Sequence, residues 1–187
     1  MMKGKIFIIS GPSGSGKTTL YRKILANNKN LVKTVSVTTR KPRDEERHGK
    51  DYFFVSPVMF SYKRRAGHFL ESQKVFDNYY GTPKKAVKDL LFSGNNVLLC
   101  IDVKGAQVVW NKFPKAIKIF IKPPSLAVLE RRLIHRGSEK KEIIDFRVQT
   151  AKEELKKASL YDYVIINDQL DRAYEKLENI VEKELGK

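Results

Sequence analysis

The sequence predicts an α/β protein with a parallel core sheet flanked by helices. Two observations support this fold class. Short apolar segments with the composition of buried strands alternate along the chain with segments that have helical periodicity. In addition, the first strand candidate leads directly into a glycine-rich loop and then into a helix, which is the order of a βα unit.

The candidate elements follow one another in chain order. The strand candidates are residues 5–10, 96–102, 116–122 and 163–167. The helix candidates are residues 18–26, 83–93, 105–112, 125–135, 140–157 and 171–185. Ser125 is the predicted N-cap of the fourth helix and Gly137 its predicted stop, because serine caps helix starts and glycine favours helix ends.

The segment from about residue 35 to residue 81 interrupts this alternation. It contains short strand-like pieces at 52–55 and 68–71 among turns. The sequence therefore predicts a β-rich subdomain inserted into the α/β core.

Residues 11–18 have the Gly-x-x-x-x-Gly-Lys-Thr spacing of a phosphate-binding loop. Its glycines allow successive N–H groups to point at the oxygens of a polyphosphate, and the following helix adds its free N–H groups. Lys17 is expected to reach the β- and γ-phosphates of ATP, and Thr18 to ligate Mg²⁺. The predicted ATP-binding residues here are Gly11, Pro12, Ser13, Gly14, Ser15, Gly16, Lys17, Thr18 and Thr19.

Composition limits the class of protein. The chain has 187 residues, of which 41 % are hydrophobic, and this is enough for the core of one domain. No apolar run approaches the roughly 18 residues of a membrane span, and the apolar residues before the loop are too few for a signal peptide. A single cysteine, Cys100, rules out an internal disulfide. We therefore expect a cytoplasmic protein that does not act on membranes.

The formal net charge of +16 suggests a nucleic-acid-binding protein as an alternative. However, the basic residues are scattered, are often mixed with acidic ones, and form neither a basic tail nor an RNA-binding motif. We therefore expect a lysine-rich surface that attracts anionic nucleotides, and no nucleic-acid partner.

Several further motifs resemble those of guanylate kinases, in order and spacing over nearly the whole chain. They are SVTTRKPR (36–43) with Glu46, GKDYFFV (49–55), GHFLE (67–71), NYYGT (78–82), IDVKGA (101–106) and KPPS (122–125). The resemblance implies a P-loop kinase that converts ATP and GMP to ADP and GDP with Mg²⁺. It also implies one domain, with a core at about 1–34, 83–125 and 158–187, a GMP-binding insert at about 35–82 and a helical lid at about 126–157.

The resemblance assigns GMP binding to nine residues, and their chemistry fits that role. They are Ser36, Arg40, Arg43, Glu46, Tyr52, Glu71, Tyr80, Thr82 and Asp102. Arginine forks and tyrosine hydroxyls suit a phosphate monoester dianion. Glu71, placed between Phe69 and Phe76 in the sequence, is an acceptor for the N1–H and 2-amino donors of guanine, which adenine lacks.

The resemblance also implies a lid that closes over ATP. Arg132, Arg136 and Arg147 match the family's lid arginines, with Gly137 as a hinge. Asn167 matches the loop beside the adenine, so Arg132 and Asn167 join the predicted ATP-binding residues. Because phosphoryl transfer depends on alignment and on cations near the developing charge, the predicted catalytic residues are Lys17, Arg40, Arg136 and Arg147.

One position departs from the family pattern. The strand that ends at Asp102 usually carries a carboxylate two residues earlier, where this chain has Cys100. Residues i and i+2 of a strand share a face, so one anion near Mg²⁺ is lost. Either Asp102 is sufficient, or this chain binds the metal more weakly.

Two questions about the whole protein stay open at this level. Some guanylate-kinase-like modules keep the fold but have lost phosphate-binding residues, and such a catalytically silent interaction module is the alternative function. The presence of Lys17, Thr18, Arg40 and Arg43 argues against it. Either a monomer or a homodimer is compatible with the sequence.

Overall fold

The computed structural model describes residues 4–75, 77–135 and 141–186. These residues form two compact units. The first unit comprises the described residues up to Ile6 together with Asn30–Leu99 and Lys104–Ala116. The second comprises Phe7–Lys29, Cys100–Val103 and the described residues from Ile117 onward.

Strands and helices alternate over most of the described chain. The strands are β1 (Ile6–Ser10), β2 (Leu31–Lys33), β3 (Ser36–Thr38), β4 (Tyr52–Phe54), β5 (Phe69–Val75), β6 (Asn78–Pro83), β7 (Asn96–Cys100), β8 (Ile117–Lys122) and β9 (Tyr163–Ile166). The helices are α1 (Lys17–Asn27), α2 (Pro57–Arg65), α3 (Lys84–Phe92), α4 (Val103–Lys112), α5 (Leu126–His135), α6 (Lys141–Leu155) and α7 (Leu170–Leu185).

The predicted α/β class with a parallel core sheet is confirmed. Five strands form a sheet in the order β2-β7-β1-β8-β9, with parallel pairing between β2 and β7, β1 and β8, and β8 and β9. All five residues of β1 are buried, as expected for a strand covered on both faces. The carboxyl end of β1 leads into the glycine-rich loop, so the sheet fixes where that loop starts.

The predicted β-rich insert contains a second sheet in the first unit. Its strand order is β4-β3-β6-β5, with β3 and β4 parallel and the remaining pairs antiparallel. The strand pieces predicted at 52–55 and 68–71 correspond to β4 and to the start of β5. β5 is longer than the sequence predicted, and β6 was not predicted as a strand. The two strands form a hairpin in which each supports the other, and this pairing is not visible in either segment alone.

Several elements were missed at the sequence level. The edge strand β2 and the strand β3 have three residues each, too few for a recognisable period. Helix α2 lies inside the insert, where only strands and turns were expected. Its start carries a clear local signal, because the Ser56 hydroxyl accepts a hydrogen bond from the Met59 amide and Pro57 occupies the first turn.

Some predicted boundaries need correction. The strand predicted at 96–102 ends at Cys100, so Asp102 lies beyond it. The helix predicted at 140–157 ends at Leu155 and continues as a 3₁₀ segment, Lys156–Leu160. The cap predicted at Ser125 is confirmed, since its hydroxyl accepts from the Val128 amide at 3.2 Å. Gly137 lies outside the described residues.

Candidate functional site

The loop between β1 and α1 requires glycine at particular positions. Gly11 and Gly16 have φ values of 138° and 91°, and residues that carry a Cβ rarely adopt such values. A Cβ at Gly11 would lie 2.2 Å from the Ile121 carbonyl oxygen, and one at Gly16 would lie 2.1 Å from Asn167 Nδ2. Both the backbone conformation and the close packing therefore select glycine here.

The start of α1 is suited to an anion. Gly16 is the N-cap and offers no capping side chain, and the first turn contains no acidic residue. The first N–H groups of a helix lack partners within the helix, and the helix dipole places partial positive charge there. Phosphate oxygens would satisfy both features.

Lys17 folds back onto its own loop. Its Nζ donates to the carbonyl oxygens of Gly11 at 2.6 Å and Pro12 at 2.8 Å, and the side chain is half-buried. Lys17 therefore does not extend into solvent, because the loop carbonyls are acceptors within its reach. The ammonium group is held at the loop, where bound phosphates would compete for it.

Cys100 lies against the start of α1. Its thiol is in hydrogen-bond contact with the exposed Thr18, and Lys17 is close enough to act on it electrostatically. Burial raises the pKa of the Cys100 thiol, and the Lys17 charge and the Thr18 contact offset this only in part. The thiol therefore stays uncharged near neutral pH. Because β7 ends at Cys100, the expectation that Cys100 and Asp102 share a strand face is wrong.

The donor set around Thr18 fits Mg²⁺ carried by a nucleotide. In the described part of the chain, no three His, Cys, Asp or Glu side chains come together as a metal site. Mg²⁺ usually keeps several waters and is held by few protein ligands together with substrate phosphates. The Thr18 hydroxyl, at the mouth of a phosphate-binding loop, suits such an ion.

Asn167 connects three parts of the second unit. Its Nδ2 donates to the Ser15 carbonyl oxygen at 2.8 Å, and its backbone amide donates to Lys122 at 2.8 Å. Its own carbonyl oxygen accepts from Arg132 Nη2 at 3.0 Å. The side chain is buried, with 5 % of its surface exposed. Asn167 thus joins the end of β9, the phosphate loop and α5.

A cavity of about 310 Å³ lies beside this junction. Its lining residues are Gly14, Gly16, Thr19, Arg132, His135, Asn167 and Leu170. Arg132 Nη1 is buried and has no hydrogen-bond partner among the described residues, so it is available to an anion. His135 and Leu170 were not predicted, because neither belongs to a motif. The other five lining residues all belong to the predicted ATP-binding set, so the structure gathers part of that set at this cavity.

Arg147, the other predicted lid arginine that the structure describes, does not line this cavity. Arg147 lies half-buried on α6. Arg136 lies outside the described residues, as does Phe76, which the sequence places near Glu71.

The second sheet gathers most of the predicted GMP-binding residues in the first unit. Side chains alternate between the faces of a strand, so the register decides which candidates share a face. The opposed pairs are Ser36 and Tyr52, Thr38 and Tyr80, and Glu71 and Thr82. These six residues therefore lie on one face of the sheet, which we call the acceptor face. Asp102 belongs instead to the second unit, which contains the phosphate loop.

Glu71 and Thr82 form a buried pair on the acceptor face. The Thr82 hydroxyl donates to Glu71 Oε1 at 2.6 Å. Thr82 is 1 % exposed and Glu71 is 6 % exposed. Cross-strand register places them opposite each other. A buried carboxylate needs hydrogen-bond donors, because it has lost the donors that water supplied.

Arg40 is held by several neighbours. Its Nη2 donates to both carboxylate oxygens of Glu46 at 2.8 Å, and its guanidinium lies 5.7 Å from the centre of the Tyr52 ring. Burial lowers the pKa of Arg40, but the Glu46 and Tyr80 contacts outweigh it, so the net pKa is raised. Burial raises the pKa of Glu46, whereas the Arg43 amide and the Arg40 guanidinium hold the net pKa below its ordinary value.

The backbone around Arg40 is also fixed. The buried Thr38 hydroxyl accepts from the Arg40 amide at 3.1 Å and donates to the Tyr79 carbonyl oxygen at 2.9 Å. The Arg43 amide donates to Glu46 at 3.0 Å, and the Arg43 side chain is exposed. Thr38 belonged to a recognised motif, but nothing in the sequence distinguished it as a support for Arg40.

The chain matches known proteins over nearly its whole length. The family model described as guanylate kinase matches residues 3–184. The chain belongs to the guanylate kinase family. It is 45 % identical over 181 residues to a guanylate kinase of Nitrosospira multiformis, which covers 97 % of this chain and 86 % of the relative. It is 47 % identical over 179 residues to a guanylate kinase of Neisseria meningitidis serogroup A, which covers 96 % and 87 %.

Solved structures share the fold of this chain. The crystal structure of guanylate kinase from Anaplasma phagocytophilum superposes with a TM-score of 0.81 at 35 % identity, over 98 % of this chain and 87 % of that one. The structure of TT1252 from Thermus thermophilus shares the fold, with a TM-score of 0.57 at 16 % identity over 97 % and 98 % of the two chains. Among the described residues, no helix has the length and apolar composition needed to cross a membrane.

Proposed function

We propose that this guanylate kinase transfers the γ-phosphoryl group of ATP to GMP and releases ADP and GDP. The second unit supplies the donor side, with the phosphate loop and the cavity at Asn167. The first unit supplies the acceptor side, with Arg40 and the acceptor face. The single cysteine fits a reducing compartment, so we place the reaction in the cytoplasm.

The buried pair of Glu71 and Thr82 determines which nucleoside monophosphate is accepted. Guanine offers N1–H and a 2-amino group side by side, and a buried carboxylate can accept from both. Adenine has no such pair of donors and would leave Glu71 without the bonds that guanine provides. A site built in this way selects GMP over AMP.

The phosphate groups are proposed to bind to separate cations. Lys17 and the N–H groups at the start of α1 would hold the β- and γ-phosphates of ATP. Arg40, Arg43, Tyr52 and Tyr80 would hold the phosphate of GMP, because guanidinium forks and hydroxyls match its oxygens. Ser36, Glu46 and Asp102 complete the proposed acceptor set.

Catalysis follows from alignment and charge. Lys17 and Arg40, with Arg136 and Arg147 of the proposed lid at about 126–157, would lie around the transferred group and stabilise its charge. Mg²⁺, held by the Thr18 hydroxyl and the ATP phosphates, would neutralise part of the developing negative charge. Closure of the proposed lid over ATP would exclude water that otherwise hydrolyses ATP.

The decisive test measures ADP release with ATP and each of GMP, AMP, UMP and CMP. We expect GMP to be strongly preferred. Glu71→Gln keeps the size of the side chain but replaces an acceptor oxygen with a donor, so it should narrow the preference for GMP over AMP by about tenfold or more. Equal use of the four acceptors by the unmodified protein would contradict the proposal.

A matched pair of lysine variants separates catalysis from folding. Lys17→Ala should lower turnover by about 100-fold or more, as does loss of other groups that stabilise transition-state charge. Lys29→Ala removes an exposed lysine of the same unit and should leave turnover unchanged. A silent interaction module would show no GMP-dependent ADP release above that of Lys17→Ala.

A further inference from the structure

The second sheet of the first unit has a cavity on the face opposite the acceptor face. In the register of the sheet, Val37 lies opposite Phe53 and Gly81, and these residues alternate with those of the acceptor face. The cavity has a volume of about 700 Å³. This is within the range of about 300 to 1,000 Å³ typical of small-molecule sites. None of its lining residues belongs to the proposed ATP or GMP sets.

Aromatic and aliphatic side chains form much of the cavity wall. They are Val37, Phe53, Val55, Phe69, Pro83 and Phe92. Phe53 and Phe92 are 40 % and 58 % exposed, although large aromatic side chains gain free energy from burial. The Phe69 ring packs on Gly81, where a Cβ would lie 2.9 Å from the ring. Flat apolar surfaces are therefore exposed at a concave site.

Positive charge surrounds these surfaces. Lys63 of α2 and Lys84, Lys85 and Lys88 of α3 line the cavity, as do two histidines. The single acidic lining residue, Asp89, pairs with Lys85 at 2.5 Å. Within the described ranges, no carboxylate pairs with Lys63, Lys84 or Lys88. Three lysines that have no carboxylate partner among the described residues thus line an aromatic cavity.

We propose that this cavity binds a small planar aromatic anion of the nucleotide class. Its ring system would pack on Phe53 and Phe92, and its phosphates would bind the lysines, which act as point charges for phosphate. A second copy of this chain does not fit, because each copy carries a net charge of +16 and would bring lysines against lysines. The ligand would thus bind away from the acceptor face.

The test uses the full chain with its donor and acceptor sites filled. One equivalent of a bisubstrate, in which five phosphates join adenosine to guanosine, occupies those sites without leaving free nucleotide. The probe is 8-anilinonaphthalene-1-sulfonate, an aromatic anion that fluoresces in apolar sites. We expect saturable binding of the probe at one site per chain, and displacement of the probe by added ADP.

Variants locate the site. Lys84→Glu with Lys88→Glu should weaken probe binding by about tenfold or more, and Phe92→Ala should weaken it as well. The matched control, Lys74→Glu with Lys115→Glu, changes the net charge equally at exposed lysines outside the cavity and should bind the probe normally. Melting temperatures confirm that each variant is folded.

Three outcomes would overturn the proposal. The first is the absence of saturable probe binding to the bisubstrate complex. The second is an equal loss of binding in the control variant, which would show a general effect of charge. The third is displacement by decanoate but not by ADP, which would show a site for acyl chains. If the bisubstrate itself does not bind, the proposed function fails, and the probe titration of the free protein still tests the cavity.

Discussion

At the scale of single residues, Glu46 has the clearest structural role. Only 8 % of its side-chain surface is exposed, and both of its oxygens accept from Arg40. One oxygen also accepts from the Arg43 amide. Glu46 therefore fixes the loop that carries both acceptor-side arginines, and it does so as a carboxylate.

Glu46→Gln should remove a pH-dependent part of the stability. The folded pKa of Glu46 is lowered from its ordinary value of 4.5. The carboxylate therefore contributes stability that is fully present above pH 4.5 and is lost as the pH falls through the folded pKa. We expect the variant to be less stable than the unmodified protein at pH 7, and the difference to shrink at low pH.

Denaturant unfolding at a series of pH values measures this difference. Glu45→Gln, at an exposed neighbouring carboxylate, is the control and should show no comparable change. A stability difference for Glu46→Gln that stays constant from pH 7 down to pH 3 would refute the role of its ionised form.

Cys100 poses a second question at this scale. Cys100→Asp would place a carboxylate beside Thr18 and near Lys17, where the uncharged thiol now lies. An added anion attracts Mg²⁺ and accepts from its waters, so the Mg²⁺ concentration for half-maximal activity should fall. Burial opposes this, because a carboxylate without partners raises its pKa and destabilises the fold. The Lys17 charge and the Thr18 hydroxyl beside this position favour the first effect, because both stabilise a carboxylate.

Measuring the Mg²⁺ dependence together with the melting temperature separates the two effects. Cys100→Ser, which adds no charge, is the control. An unchanged Mg²⁺ requirement in a stably folded Cys100→Asp variant would show that the missing carboxylate is not needed.

At the scale of elements, Asn167 holds the phosphate loop in place. Asn167→Asp would replace the donor to Ser15 with an acceptor, so two oxygens would face each other across 2.8 Å. We expect the KM for ATP to rise by about tenfold, since a lost buried hydrogen bond costs about 1 to 3 kcal/mol, while the KM for GMP changes little. Asp168→Asn, at the exposed adjacent residue, should leave both values unchanged. An equal rise in both KM values would show a general loss of structure instead.

Long helices and strands were predictable from the sequence, because the hydrophobic pattern of each one extends over many residues. The strands at 96–100 and 117–122 and the helices at 84–92 and 170–185 repeat one pattern over several residues. Helix α2 was missed because its insert was interpreted from its strand-like pieces, although Ser56 and Pro57 marked its start. β2 and β3 depend on pairing with distant strands, which local composition does not encode.

The same distinction holds for the candidate site. The spacing of residues 11–18 predicted the phosphate loop, because glycine conformations and helix starts are local properties. The contact of Asn167 with Ser15 joins residues far apart in sequence, and the orientation of Lys17 depends on which acceptors lie nearest. Such contacts arise only when the chain is folded. The residues of the site were therefore easier to predict than their partners.

At the scale of the whole molecule, the excess of basic residues needs an explanation. The chain has 37 lysines and arginines against 21 acidic residues. Among the described residues, some of this positive charge lies at identified sites. Arg40 lies on the acceptor side, Lys17 lies at the phosphate loop, and three lysines without carboxylate partners line the cavity of the first unit. Both substrates of a guanylate kinase are anions, so the overall field should speed their encounter with the protein.

Salt should therefore lower kcat/KM more than kcat. The screening length falls from about 10 Å at 0.1 M salt to about 3 Å at 1 M, so added KCl removes long-range attraction but leaves contacts within the closed site largely intact. We expect kcat/KM for ATP and GMP to fall several-fold over that range at constant free Mg²⁺, with little change in kcat.

The double variant Lys74→Glu with Lys115→Glu lowers the net charge from +16 by four and should weaken this salt dependence of kcat/KM. A kcat/KM that is independent of salt would show that the charge does not act on nucleotides. Tight, steeply salt-dependent binding of duplex DNA under the same conditions would assign the charge to nucleic acid instead.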